Sequence, residues 1–266
     1  MRDNRFNRQT GHLFSPTAKG TFTRTAVVTL AVLNVLAISQ AQAAIALDRT
    51  RVVFDGAQKS VSLNISNQNK QLPYLAQGWV EDKDGQKIQS PLTVLPPVQR
   101  IEPGKPSQVK VQSLPTVKTL PQDRESLYYF NLREIPPKST KPNTLQIALQ
   151  TRIKLFYRPA GIAIDKNAPP PQESLTLSRQ GNSFMVNNPT PYYVTLVDAD
   201  KSVNGSGIKG FEPMMIAPKS QMPLTVSAAA VGNSPVLTYV NDYGGRPKLT
   251  FRCNGGTCSV IPDKKP

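Results

Sequence analysis

Few residues in this 266-residue chain are suited to catalysis, and they are unevenly placed. The one histidine, His12, lies near the start. Nucleophilic triads and most zinc sites draw on histidine, and the chain has neither a G-x-S-x-G elbow nor a P-loop. Carboxylate and lysine chemistry stays open, but the composition argues against an enzyme, and no cofactor or metal is expected. What stands out instead is cations and thiols. Arg152, Lys154 and Arg158 close a long alternating stretch, residues 143–159 (NTLQIALQTRIKLFYRP), and Arg51 sits in 47–54 (LDRTRVVF). A lysine near an arginine is costly unless an anion arrives to share them. Arg51 and Lys154 therefore read either as an anion site or, taken alone, more readily as ordinary surface charge. Cys253 and Cys258 flank Asn254-Gly255-Gly256, strong hairpin chemistry that sets the two thiols face to face. In an oxidising compartment they are expected to form a structural disulfide, with a redox role the lesser alternative because the spacing is not C-x-x-C.

Such a compartment is expected from the first 43 residues. Arg2, Arg5, Arg8, Lys19 and Arg24 precede an apolar run, 26–38, and then Ala41-Gln42-Ala43, the pattern of a cleaved secretory leader. The run is too short to span a bilayer comfortably, so no membrane insertion is expected after cleavage. Removing residues 1–43 leaves 223 residues and a net charge of +11, from +15 for the whole chain. That charge suits an acidic or carboxylate-bearing partner, or is a generally basic soluble surface. Nucleic acid is not expected, since no Arg-rich tract or aromatic stacking motif appears.

The elements that must position these groups are strands. Proline is abundant, 25 residues in all, and helical periodicity is scarce, which points to sandwiches or barrels of short strands. Alternation predicts strands at 47–54, 60–66, 74–81, 108–112 and 126–135, followed by a loop at 136–143 and the long stretch beyond it. This count fits an immunoglobulin-like sandwich. Prolines 169–171 cannot sit inside a sheet and mark a hinge in 160–174. Strands at 174–178, 192–199, 222–228, 236–242 and 247–253 then make a second all-β domain. The chain thus divides into a leader at 1–43, a domain at 44–159 and a domain at 160–266.

In the long stretch Leu145, Ile147, Leu149, Thr151, Ile153 and Leu155 share one face, and Gln146, Ala148, Gln150, Arg152, Lys154 and Phe156 the other. As one strand it reaches about 40 Å, roughly twice the usual length. Its apolar face either packs on its own core or forms an open edge that another protein can pair with.

Six runs resemble the PapD-like periplasmic pilus chaperones: LDRTRVVFDG (47–56), NKQLPYLAQGW (69–79), LPQDRESLYYFNLREIPP (120–137), LQIALQTRIKLFYRP (145–159), NPTPYYVTL (188–196) and NDYGGRP (241–247). The resemblance implies two immunoglobulin-like domains in a boomerang arrangement with a cleft between them. It implies a chaperone located in the periplasm of a Gram-negative bacterium, whose partners are pilus subunits and an outer-membrane usher. Leu145, Ile147 and Leu149 answer to the strand that is lent to a subunit, Arg51 and Lys154 to the cationic pair that anchors the subunit's terminal carboxylate. Glu125, Arg158 and Asp242 answer to an ion network between the domains. The short loop before the lent strand resembles chaperones of rod-like pili. A tension accompanies the assignment: Lys154 has the opposite parity to Leu145, which calls for a bulge, a twist, or an anchor on the other face. An exposed apolar edge also allows a self-capping homodimer. A fibre component and a secreted enzyme are the competing readings. Residue 44 running straight into a strand speaks against the first, and the missing histidine against the second.

Overall fold

The computed structural model describes residues 43–262, apart from Lys166. The expected leader, with His12, lies outside the described residues except for Ala43. The first ten strands are β1 (Ile45–Leu47), β2 (Arg51–Asp55), β3 (Ser60–Asn67), β4 (Tyr74–Glu81), β5 (Lys87–Ile88), β6 (Leu92–Leu95), β7 (Val98–Ile101), β8 (Pro106–Ser113), β9 (Ser126–Ile135) and β10 (Gln150–Arg158). They make two layers, one ordered β1-β3-β8-β6 and the other β2-β10-β9-β4-β5, with β7 also on β4. Period-two patterning drives this: Leu63 and Ile65 of β3, and Val109 and Val111 of β8, point inward and are buried. Phe54, Phe130 and Leu155 come from the opposite layer and complete the core.

Two expectations are corrected here. Residues 47–54 do not form one strand. Asp48 ends β1 by accepting the Asn64 backbone N–H and side-chain amide at 3.3 and 3.0 Å, and the chain then changes layers. β1 pairs antiparallel with β3, whereas β2 pairs parallel with β10. The stretch 143–159 is not one long strand either. Its ladder begins at Gln150, opposite Arg133 of β9. One more bond follows, from the Glu134 N–H to the Leu149 carbonyl at 3.0 Å. Continuing the register sets Ile147 and Gln146 against Pro136 and Pro137, which have no N–H to donate. On the other side the chain before β2 has already left for the opposite layer. Residues 144–149 therefore have no strand on either flank.

The second set is β11 (Thr176–Gln180), β12 (Ser183–Asn188), β13 (Val194–Asp200), β14 (Met214–Ile216), β15 (Ser220–Ser227), β16 (Val236–Tyr239), β17 (Lys248–Asn254) and β18 (Thr257–Val260). Their pairing runs β14-β13-β16-β17-β18-β11-β12-β15. β17 pairs with β16 over Lys248–Thr250 and with β18 from Phe251 onward, so it passes from one layer to the next. The layers enclose a separate core that includes Leu177, Leu196, Ile216, Leu237 and Phe251. Cys253 and Cys258 are Cα partners across the β17–β18 turn and form a disulfide. The proline-rich link holds two short 3₁₀ turns, Ala160–Ile162 and Pro171–Ser174, and no strand among its described residues. The structure is thus all-β, with two immunoglobulin-like sandwiches. No helix among the described residues is long and apolar enough to cross a membrane.

Candidate functional site

The parallel pairing of β2 with β10 puts Lys154 directly beside Arg51. Each follows core residues of opposite parity, Val52 and Phe54 on one strand and Ile153 and Leu155 on the other, so both cations leave the sandwich on its outer face. There they meet the second sandwich. Arg51 Nη1 donates to the Val240 carbonyl at 3.0 Å, and Lys154 Nζ donates to Thr195 Oγ1 at 3.3 Å. Neither takes part in an ion pair among the described residues. The Arg51 Nε–H is buried without a hydrogen-bond partner, an arrangement costly enough to call for explanation. Burial lowers the pKa of both groups. Asp242 and Glu125 partly offset this for Arg51, whereas the Arg51 charge lowers Lys154 further. Two desolvated cations and an idle donor fit a carboxylate, which accepts charge-assisted bonds from both.

The parity tension resolves without a bulge. The β9–β10 register is continuous from Gln150 to Tyr157, so the cations and the apolar line lie on opposite faces of one regular strand. Ile153, Leu155 and Tyr157 belong to the core. Leu145, Ile147 and Leu149 share their parity but lie beyond the sandwich, 85%, 64% and 41% exposed. The reading of these three as ordinary core residues fails. They extend the core's apolar face past the point where their own sheet covers it.

The third predicted group also assembles. Arg158 closes β10, and its Nε and Nη2 donate to Glu125 Oε1 at 2.8 and 2.7 Å. Its Nη1 and Nη2 reach Asp242 Oδ2 and Oδ1 at 2.7 and 3.1 Å. The second oxygen of Glu125 accepts the Tyr193 N–H at 2.8 Å, and the guanidinium lies 4.9 Å from the Tyr192 ring centroid. Burial works against the Arg158 charge, but the bonds to Asp242 and the two carboxylate charges outweigh it and hold its pKa high. Burial holds Glu125 above the usual carboxylate range, countered in part by Arg158 and the Tyr193 N–H. Backbone packing fixes the spot: the Gly56 N–H donates to the Arg158 carbonyl at 2.7 Å. A Cβ at Gly56 would come within 2.8 Å of that oxygen.

Sequence reasoning did not find the Val240 carbonyl, the Tyr193 N–H or the Thr195 hydroxyl. Two are backbone groups and carry no side-chain signal. Thr195 lies inside the quoted run 188–196, but its alternation marks only a strand. The outer face of the first sandwich was also missed. There Arg152 bonds Glu81 at 2.8 Å and lies 3.4 Å from the Tyr129 ring centroid, and Trp79 Nε1 donates to Glu81 Oε1 at 2.9 Å. Arg152 is thereby neutralised, which separates it from its uncompensated neighbour Lys154.

Comparison with known proteins gives a consistent result. Residues 44–163 match the family described as pili and flagellar-assembly chaperone, PapD N-terminal domain, and residues 170–251 match the pili assembly chaperone PapD, C-terminal domain. The probable fimbrial chaperone YfcS of Escherichia coli K12 is 54% identical over 233 residues, spanning 88% of this chain and 92% of that protein. The chaperone protein PapD of Escherichia coli is 52% identical over 238 residues, spanning 89% and 98%. Among solved structures, the CupB2 chaperone of Pseudomonas aeruginosa superposes with a TM-score of 0.63 at 32% identity, covering 79% of this chain and all of the other.

Proposed function

Because this chain belongs to the PapD family of pilus-assembly chaperones, non-enzymatic proteins of the chaperone–usher pathway, we propose that it captures pilus subunits by donor-strand complementation. On this reading it works in the periplasm of a Gram-negative bacterium and delivers its cargo to an outer-membrane usher. The leader ends at residue 43, residues 44–159 carry the donated strand, and residues 160–266 form the second wall of the cleft.

The observation that carries the reading is the apolar line of Leu145, Ile147 and Leu149, exposed and in core-face register with β10. A subunit lacking a strand offers a groove lined by its own core. Inserting these three side chains buries roughly two side chains' worth of exposed apolar surface, about 3–6 kcal/mol before the cost of ordering both partners. Register is critical, because a slip of one residue turns every apolar side chain outward. Arg51 and Lys154 set it by holding the subunit's terminal carboxylate on the opposite face, at a fixed distance along the strand. Glu125, Arg158 and Asp242 hold the two sandwiches at the angle that brings Thr195 and Val240 to those cations. In the free protein the same open edge can be covered by a second copy, giving a self-capping homodimer.

The test is retention of subunits from periplasmic extract on tagged protein, with intact-mass identification. Wild type is expected to retain pilus subunits, whereas Arg51→Ala, Lys154→Ala and Ile147→Asp fold normally and retain none. Undiminished retention by the two cation variants overturns the anchor, and by Ile147→Asp the strand donation.

A further inference from the structure

A cavity of about 450 Å³ lies where the two sandwiches meet the proline-rich link. It is within the size range of small-molecule sites. The first sandwich contributes Val53 and Asp55 at the end of β2, the link contributes Ile164 and Gln172, and the second sandwich contributes Asp242 and Tyr243. Among the described lining residues are three carboxylates, Asp55, Asp165 and Asp242, and one cation, Arg158. That cation is already bound to Glu125 and Asp242. Asp55 and Asp165 make no ion pair among the described residues; each only accepts a nearby backbone N–H, from Ala57 and Asn167, at 2.9 Å. Gln172 is the second unusual feature. It is only 8% exposed, yet its carboxamide has no hydrogen-bond partner among the described residues. Its amide atoms are open to the cavity, since Arg51 Nε is the one fully buried side-chain nitrogen or oxygen without a partner among the described residues. Tyr243, 90% exposed, stands at the rim with its ring free to cover an entering group.

We infer that this hinge cavity is a binding site for a small organic cation with an apolar body, such as an amidinium, guanidinium or primary ammonium. The Val53, Ile164 and proline walls take the apolar part. Asp55 and Asp242 face the charge, Gln172 gains the hydrogen bond it lacks, and the Tyr243 ring adds a cation–π contact. The site is distinct from the carboxylate anchor, because it selects the opposite charge. It bridges both sandwiches and shares Asp242 with the Arg158 network, so a bound cation stiffens the hinge.

The experiment titrates benzamidine into isotope-labelled mature protein and follows amide shifts, with neutral benzamide and anionic benzoate as controls. Benzamidine is expected to give saturable shifts at residues 163–172 and 239–243, with benzamide at least tenfold weaker and benzoate inert. Asp55→Asn, at an exposed position, and Gln172→Leu should each weaken benzamidine at least threefold while leaving the rest of the spectrum unchanged. Absence of saturable shifts at 20 mM overturns the site. Equal binding of benzamide, or full affinity in both variants, overturns the charge and polar recognition assigned to it.

Discussion

Replacing Arg158 with methionine should be the most damaging single change at the domain junction, and its cost should depend on pH in a way that identifies the cause. Arg158 is the only ion-pair partner of Glu125 among the described residues, and the Glu125 side chain is 2% exposed. Arg158→Met therefore leaves a buried carboxylate whose remaining polar contact is the Tyr193 N–H. Breaking one side of a buried pair typically costs about 3–5 kcal/mol. At a urea dependence of about 2–3 kcal/mol per molar, this moves the midpoint down by roughly 1–2 M. Glu125→Gln is milder, about 1–2 kcal/mol, because Arg158 keeps its fork on Asp242. Asp242→Asn is mildest, near 1 kcal/mol, because the Asp242 side chain is about one-third exposed and water screens its charge. The sign of the pH effect follows from the raised pKa of Glu125. A carboxyl group held above its unfolded value of 4.5 favours its protonated form in the fold. Stability from this group is thus fully present below 4.5 and is lost as pH rises through the folded pKa. Removing Arg158 raises that pKa further, so the deficit of Arg158→Met should be largest at pH 8 and shrink toward pH 5. Urea unfolding followed by Trp79 fluorescence, with amide exchange at Tyr193, reads both quantities. A deficit below 1 kcal/mol, or one unchanged between pH 8 and 5, refutes the reasoning. So does Asp242→Asn proving as costly as Arg158→Met.

Other consequences are as specific. Ile147→Asp should change stability by less than about 0.5 kcal/mol, because the side chain is 64% exposed, while abolishing subunit capture; thermal unfolding beside pull-down checks the two together. Lys154 is held below 10.5 by burial and by Arg51, so it loses its charge at a lower pH than an exposed lysine. Affinity for a subunit peptide with a free carboxylate should fall as pH rises toward 10.5, and Lys154→Arg should flatten that fall; a carboxamide-ended peptide should bind weakly throughout. Exchanging both Cys253 and Cys258 for serine opens a small loop at a tight hairpin and should cost about 2 kcal/mol, measured by chemical denaturation, without affecting capture. A cost below 0.5 kcal/mol would show that the hairpin closes without its staple.

Much of this protein is written into its local sequence. Period-two patterning located β3 and β8 within a few residues, because each buries one face only, and length and β-branched or aromatic content located β4 and β9, which bury both faces in their middle. Asn254-Gly255-Gly256 placed Cys253 opposite Cys258, because turn chemistry dictates register at short range. The short strands β6, β7, β12 and β14 were not legible. Three of them have only three or four residues, too few to show a period, with prolines flanking β6 and β14, and β12 ends in polar Asn187 and Asn188. The chemical types at the site were also visible: alternating aliphatics, then cations, with no histidine near them. Their meaning was not. Leu145, Ile147 and Leu149 have the same pattern whether buried or bare. Exposure was decided by Pro136 and Pro137 facing them across the register and by β1 leaving for the other layer. Arg152 and Lys154 lie two residues apart on one face and look equivalent in the sequence. Glu81, brought from β4, neutralises one, while β13 brings only the Thr195 hydroxyl to the other. Pairing within a strand's own span is local and follows from residue type. Which charge is compensated and which apolar side chain is covered depends on contacts between distant segments, and those exist only in the folded chain.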